Sequence, residues 1–126
     1  MRSGIVSGLV LAGLLSVGAA NAECIYPKAP SDMPNGAMAS EQEMVAGMKS
    51  VKEYNAQVTA YLSCLDMKME TDIAAAGTDA PADQVAQIKA INAKRHNAAV
   101  EELEAHAARF NEQVKAYKNK DKSKKS

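Results

Sequence analysis

Apolar side chains recur between residues 44 and 69 in alternating steps of four and three: Met44, Met48, Val51, Val58, Leu62, Leu65 and Met69, with Asn55 filling the gap between Val51 and Val58. That spacing keeps one face of an α-helix apolar. The segment Ser40-Glu41-Gln42-Glu43 reads as a capping box, with Ser40 as N-cap and Glu43 at the third helical position. No proline interrupts the chain until Pro81, and Ala74-Ala75-Ala76-Gly77 offers a glycine stop. One long amphipathic helix is predicted over about residues 41–75.

The pattern restarts after Thr78-Asp79-Ala80-Pro81. Proline suits a first helical turn, and Asp79 or Thr78 is placed to cap it. Val85, Ile88, Asn92, His96, Val100, Leu103, Ala107, Phe110, Val114 and Tyr117 then follow at threes and fours. A second helix is predicted over about 81–118. A short loop between two long helices makes them antiparallel neighbours. Residues symmetric about position 77 should face each other: Asn55 near Ala99, Leu62 near Asn92, Val51 near Leu103. Asn55, Asn92 and His96 would then form a polar seam inside the hairpin, a device that fixes register at some cost in stability.

The chain ahead of the first helix has a different texture. Residues 23–39 hold Pro27, Pro30 and Pro34, three of the four prolines, and a Pro34-Asn35-Gly36 turn signal. Pro27 and Pro30 stand three apart, the repeat of polyproline II, so this stretch is read as an extended strap. Further upstream, Arg2 precedes an uncharged run from Gly4 to Ala20, and Ala20-Asn21-Ala22 places small residues before Glu23. That is the secretory signal pattern, with cleavage expected between Ala22 and Glu23 and delivery to the periplasm or the extracellular medium. An uncleaved anchor and a lipoprotein at Cys24 are the alternatives. The anchor reading has too short an apolar run, and the lipid reading has Glu23 in the way.

Export changes the reading of the two cysteines that follow it. Cys24 and Cys64 would reach a compartment where disulfides persist, and two cysteines allow one intramolecular connectivity. The closed loop of about 41 residues is worth roughly 4 kcal/mol in the chain-entropy model. A catalytic thiol or a metal thiolate is the competing reading, but neither cysteine lies in C-x-x-C or in a recognisable nucleophile motif. Cys64 falls on a lateral stripe with Gly47, Ser50, Tyr54, Gln57 and Tyr61. A bridge to Cys24 would draw the strap back along that stripe, with Pro27 and Pro30 packed on Tyr61 and Tyr54. The lengths agree: Ser40 to Cys64 spans ~36 Å of helix, and Cys24 to Ser40 can extend ~50 Å in polyproline form. The predicted fold is therefore all-α, an antiparallel two-helix hairpin (domain 40–118) with a proline-rich strap (23–39) disulfide-bonded to helix one.

Composition narrows the function classes. The chain has 126 residues, no Trp, one Phe and a formal net charge of zero, which disfavours a β-sandwich and a globally basic nucleic-acid binder. The charge is uneven: residues 23–117 carry nine basic and 14 acidic groups, whereas residues 118–126 carry five lysines and one aspartate. The lysine-rich tail, 119–126, is predicted to be disordered. It is a candidate contact for an anionic surface.

Candidate chemistry is sparse. Met44, Met48, Met67 and Met69 offer thioethers for a soft ion such as Cu(I) or Ag(I), although at helical spacing methionine is first a core filler. His96 and His106 are ten apart, without zinc-ligand spacing. The carboxylates are spread along wet helix faces, and no catalytic-serine or phosphate-loop motif occurs. No cofactor is expected and an enzyme is not.

Cys24-x-x-Pro27-x-x-Pro30, then Pro34-Asn35-Gly36, then Tyr61-Leu62-Ser63-Cys64-Leu65 together resemble a pattern in small exported proteins of Proteobacteria, roughly C-x-x-P-x-x-P, P-D/N-G and Y-L-x-C-L. The resemblance covers about residues 24–66. It implies secretion and a two-cysteine strap, and it carries no activity to transfer. The sequence thus predicts a non-enzymatic exported protein that works through contact with a protein or envelope partner. Soft-metal binding by the four methionines, and self-assembly into a homodimer through flank residues such as Val45, Ile73 and Ile91, are the alternatives.

Overall fold

The computed structural model describes residues 23–125. The expected signal segment, 1–22, lies outside them. Two helices account for most of the described chain: α1, Glu41–Ala76, and α2, Ala82–Lys124. They pack together as a hairpin, and no strand occurs among the described residues.

Helix α1 begins as its sequence dictates. The Glu43 amide donates to the Ser40 hydroxyl at 3.2 Å, and the Ser40 amide donates to the Glu43 carboxylate at 2.7 Å. These bonds satisfy two backbone donors that a helix start leaves open. They also hold the Glu43 carboxyl below its usual range, the backbone bond from Ser40 being the main cause. At the other end Gly77 takes a φ of 87°, a conformation that favours glycine. Its amide donates to the Ala74 carbonyl at 3.2 Å.

Helix α2 starts differently from expectation. Pro81 is its N-cap, without a side-chain cap, and the expected caps Thr78 and Asp79 are not used. The Pro81 carbonyl instead accepts from Gln84 and Val85, at 3.1 and 3.3 Å. The helix also runs on through Lys124, past the expected end at 118 and into the tail expected to be disordered. Two features account for the extension. Lys122 and Lys124 sit in the last turn, where cations favour the helix dipole. Lys120 reaches back to the chain ahead of α1, donating to the Ala39 carbonyl and lying 4.5 Å above the Tyr117 ring.

The hairpin register is offset from the one drawn by symmetry. Asn92 donates to Asp66 at 3.3 Å, and the Tyr54 ring meets His106 at 5.3 Å. Relative to symmetry about position 77 the pairs are displaced by four and six residues, between one and two helical turns. The loop extends through Pro81, so the point about which the helices fold lies beyond Gly77.

The buried arc of α1 is Met44, Gly47, Tyr54, Val58, Tyr61 and Leu65. Compared with the sequence-derived seam, it is rotated by roughly 40° toward the tyrosine stripe. Asn55 and Met48 are consequently exposed. The reason is a third layer. Residues 23–39 form neither helix nor strand, and Cys24 and Ala29 pack on the core of Tyr54, Val58, Tyr61, Leu65 and Ala99. Met33 packs on a second core of Ala39, Met44 and Phe110. Covering that side draws the tyrosines inward, and Tyr54 is 1% exposed.

Candidate functional site

Between α1 and α2 runs a groove, and the leading segment 23–39 fills one half of it. Cys24 is disulfide-bonded to Cys64 on α1, with Cα atoms 5.7 Å apart. Tyr26 sets its ring edge-on to Tyr61 at 5.2 Å, while its hydroxyl donates to Glu102 on α2 at 2.6 Å. That bond to a carboxylate, aided by partial burial, pushes the Tyr26 phenol up to about 12. Pro27 is buried, and Pro30 shares a small cleft with Tyr54, Lys28 and Gln57. The segment therefore touches both helices, not the flank of α1 alone.

Two glycines make this close approach possible. The turn at Asn35 is closed by its own side chain, which accepts from the Ala37 amide at 3.1 Å. It presents the Gly36 amide to the Gln113 side chain at 2.9 Å. A Cβ on Gly36 would overlap the Gln113 backbone carbonyl. On α1, a Cβ on Gly47 would meet Pro34 at 2.8 Å and Phe110 at 2.9 Å. Both positions are buried, and both let a neighbour seat directly against backbone.

Beyond Cys64 the groove continues, and among the described residues nothing outside the two helices covers it. Leu65, Met69 and Ile88 line it, with Ile91, Arg95 and the Lys68–Asp72 pair also at its edge. Lys68 and Asp72 bond at 2.8 Å. From residue 66 to residue 98 no side chain is fully buried, and Ile91 is 53% exposed. A second concavity, of about 820 Å³, opens between the leading segment and the first turns of α1. Asp32, Met33, Met38, Glu43 and Ser50 are among its lining residues.

The polar seam is not formed. Asn55 is exposed because the buried arc turned away from it. Asn92 and His96 are half-buried, and the Asn92 amide is engaged by Asp66 at an exposed edge. The histidine in the core is His106, which shares a face with Ala99 and Phe110. Burial is the main cause that lowers its pKa below the usual histidine value, with Arg109 adding repulsion and Glu102 opposing. Tyr54, against it, is pushed up, chiefly by burial. The periodicity of α2 admits either Ala107 or His106 at that turn, and only the tyrosine stripe opposite decides between them.

The methionines do not gather. Met44 belongs to the core near the start of α1, whereas Met67 and Met69 lie roughly 35–38 Å further along the helix. Met48 and Met67 are exposed and Met69 is half-buried. Among the described residues no group of three or more His, Cys, Asp or Glu could hold a metal ion. No helix among them is long and apolar enough to cross a membrane. Compared with protein-family models, with curated proteins and with solved structures, the chain matches none.

Proposed function

We propose that this chain is an exported, non-enzymatic binding protein of the periplasm or the extracellular medium. In this reading residues 23–39 act as a strap that stiffens one end of a helical hairpin. The observation that carries it is the Cys24–Cys64 bridge. The residue types best able to do chemistry are spent on packing: both thiols are oxidised, and Tyr54, Tyr61 and His106 are buried against one another's elements. A bridge of this kind stabilises a small exported domain that has little core of its own. The signal pattern of residues 1–22 supports the location, and the acidic body supports contact with a partner over contact with nucleic acid.

The test uses the oxidised protein as bait in an extract of the exporting compartment. Retention of a defined partner in proportion to bait, lost when the bait is unfolded by reduction, is the expected result. Intact protein that retains neither a partner nor a second copy of itself overturns the reading. A second reading, self-assembly, is favoured by one observation: Ile91 stands exposed beside an uncovered apolar groove.

A further inference from the structure

The two halves of the hairpin differ in thickness. From Cys64 back toward the start of α1, the leading segment adds a third layer over the groove. From Cys64 out to the Gly77–Pro81 loop, the described residues give the same side two layers, with Leu65, Met69, Ile88 and Ile91 at the groove. Among the described residues, the cover thus begins at a step beside Cys64. In front of that step lies a recess, where the uncovered part of α1 runs from Cys64 to Ala76, ~18 Å of helix.

Resting on the binding reading above, we propose that the occupant of this recess is a second copy of the chain. The two copies lie tip to step around a two-fold axis near Ile88, as in a lap joint. Three observations carry this. The shape is self-complementary: a two-layer tip of one copy fits the missing third layer of the other, and a two-fold axis repeats the fit. Apolar residues are available for the joint, since Ile88 and Ile91 line the groove and Ile91 is exposed; with Ile88 at the axis, Ile91 of each copy would meet the partner's Val85–Ile88 turn. The charges match as well. The recess has Arg95 at its step end, and the loop at the tip carries the exposed Asp79. Tip-to-step pairing sets Arg95 of one copy by Asp79 of the other, whereas tip-to-tip pairing would set like against like. Neither Arg95 nor Asp79 makes an ion pair within the chain among the described residues. Ile25, beside Cys24 at the step, is 87% exposed and lies where the partner's tip would cover it.

Complementary charge across an interface fixes orientation more than it adds affinity, so the isoleucines are expected to supply the binding and the Arg95–Asp79 contact the polarity. The experiment is sedimentation or light scattering of the oxidised full chain as exported, over micromolar to millimolar concentration. The expected result is twice the chain mass. Ile91→Glu should weaken association by ~100-fold or more, because it buries an unpaired charge. Its helical content should not change, since the position is exposed in a single copy. Arg95→Glu should weaken association by ~10-fold, and adding Asp79→Arg should restore it. A monomeric mass across the range overturns the proposal, as does a dimer indifferent to Ile91→Glu. A monomer that still retains a different protein in the bait experiment overturns the dimer and leaves the binding reading standing. A monomer that retains nothing overturns both.

Discussion

The half of the hairpin near the leading segment and the half near the loop are built from the same two helices, yet only the first has a core. Near the segment, Tyr54, Val58 and Ala99 are each 1% exposed, and Met44, Tyr61, Leu65, His106 and Phe110 join them. Toward the loop, Met69, Ile73, Val85 and Ile88 are no more than half-buried. Helical periodicity does not differ between the halves. The number of layers does. Two helices shield only the strip between them, so the residues at the groove edge stay wet until something lies across them. Here seventeen residues without regular structure do that for one half, and no described residue does it for the other.

Removing the bridge should erase most of the contrast. Cys24→Ser is expected to cost about 4 kcal/mol. At roughly 4–8 °C per kcal/mol for a domain of this size, the melting temperature falls by roughly 15 °C or more, read by circular dichroism. An unchanged melting curve with and without reductant would mean that the segment stays seated by packing alone.

A matched pair of truncations measures the contrast directly. Val58→Ala should destabilise by about 2–3 kcal/mol, since it opens a cavity under three layers. Ile91→Ala, measured at a dilution where copies do not associate, should cost under about 1 kcal/mol. Equal losses at the two sites would show that the loop half is packed as well as the other. Gly36→Ala belongs between them, at about 1–3 kcal/mol, because the new methyl group must displace helix α2 backbone rather than a movable side chain.

Acid should loosen the covered half selectively. His106 has a folded pKa below its unfolded value, so the folded state holds fewer protons. The stability this gives is present above the unfolded pKa, about 6.5, and is lost as pH falls through the lower folded value. His106→Gln should flatten the dependence of melting temperature on pH in that window, whereas His96→Gln should leave it in place. The smallest effect is spectroscopic. Tyr26 ionises at about 12 while bonded to Glu102. In Glu102→Gln its absorbance titration should move back toward the usual tyrosine value near 10. The sign is that of a raised pKa: the contribution holds below the unfolded value and is lost as pH rises through the folded one.

Where the chain follows local rules, the sequence was a sufficient guide. The capping box at Ser40 and Glu43, the stop at Gly77 and the helix bounds within a residue at Glu41–Ala76 all rest on neighbours in sequence. The pairing of Cys24 with Cys64, 40 residues apart, was legible for another reason, that two cysteines allow one intramolecular connectivity. What failed depended on the third layer. Asn55 and Met48 fit the helical period as well as Tyr54 and Tyr61 do, and only a cover on the tyrosine side selects the latter. His96 and His106 posed the same choice on α2. The reach of Lys120 to Ala39 and of Tyr26 to Glu102 spans most of the chain, and no local pattern announces either. The role of Gly36 and Gly47 was equally hidden, because a glycine marks a close approach only after the approaching element is known.

The bridge between residues 24 and 64 also divides the molecule covalently. It closes a macrocycle of the leading segment and two-thirds of α1, and α2 lies wholly outside that ring. The sole covalent link from ring to second rod is the stretch from Cys64 through the exposed Gly77–Pro81 connection. A single proteolytic nick there would leave two pieces, a cyclised fragment and a linear helix, with no bond between them. The molecule is thus a split protein in waiting, whose halves could be made apart and recombined as a reporter of their own affinity.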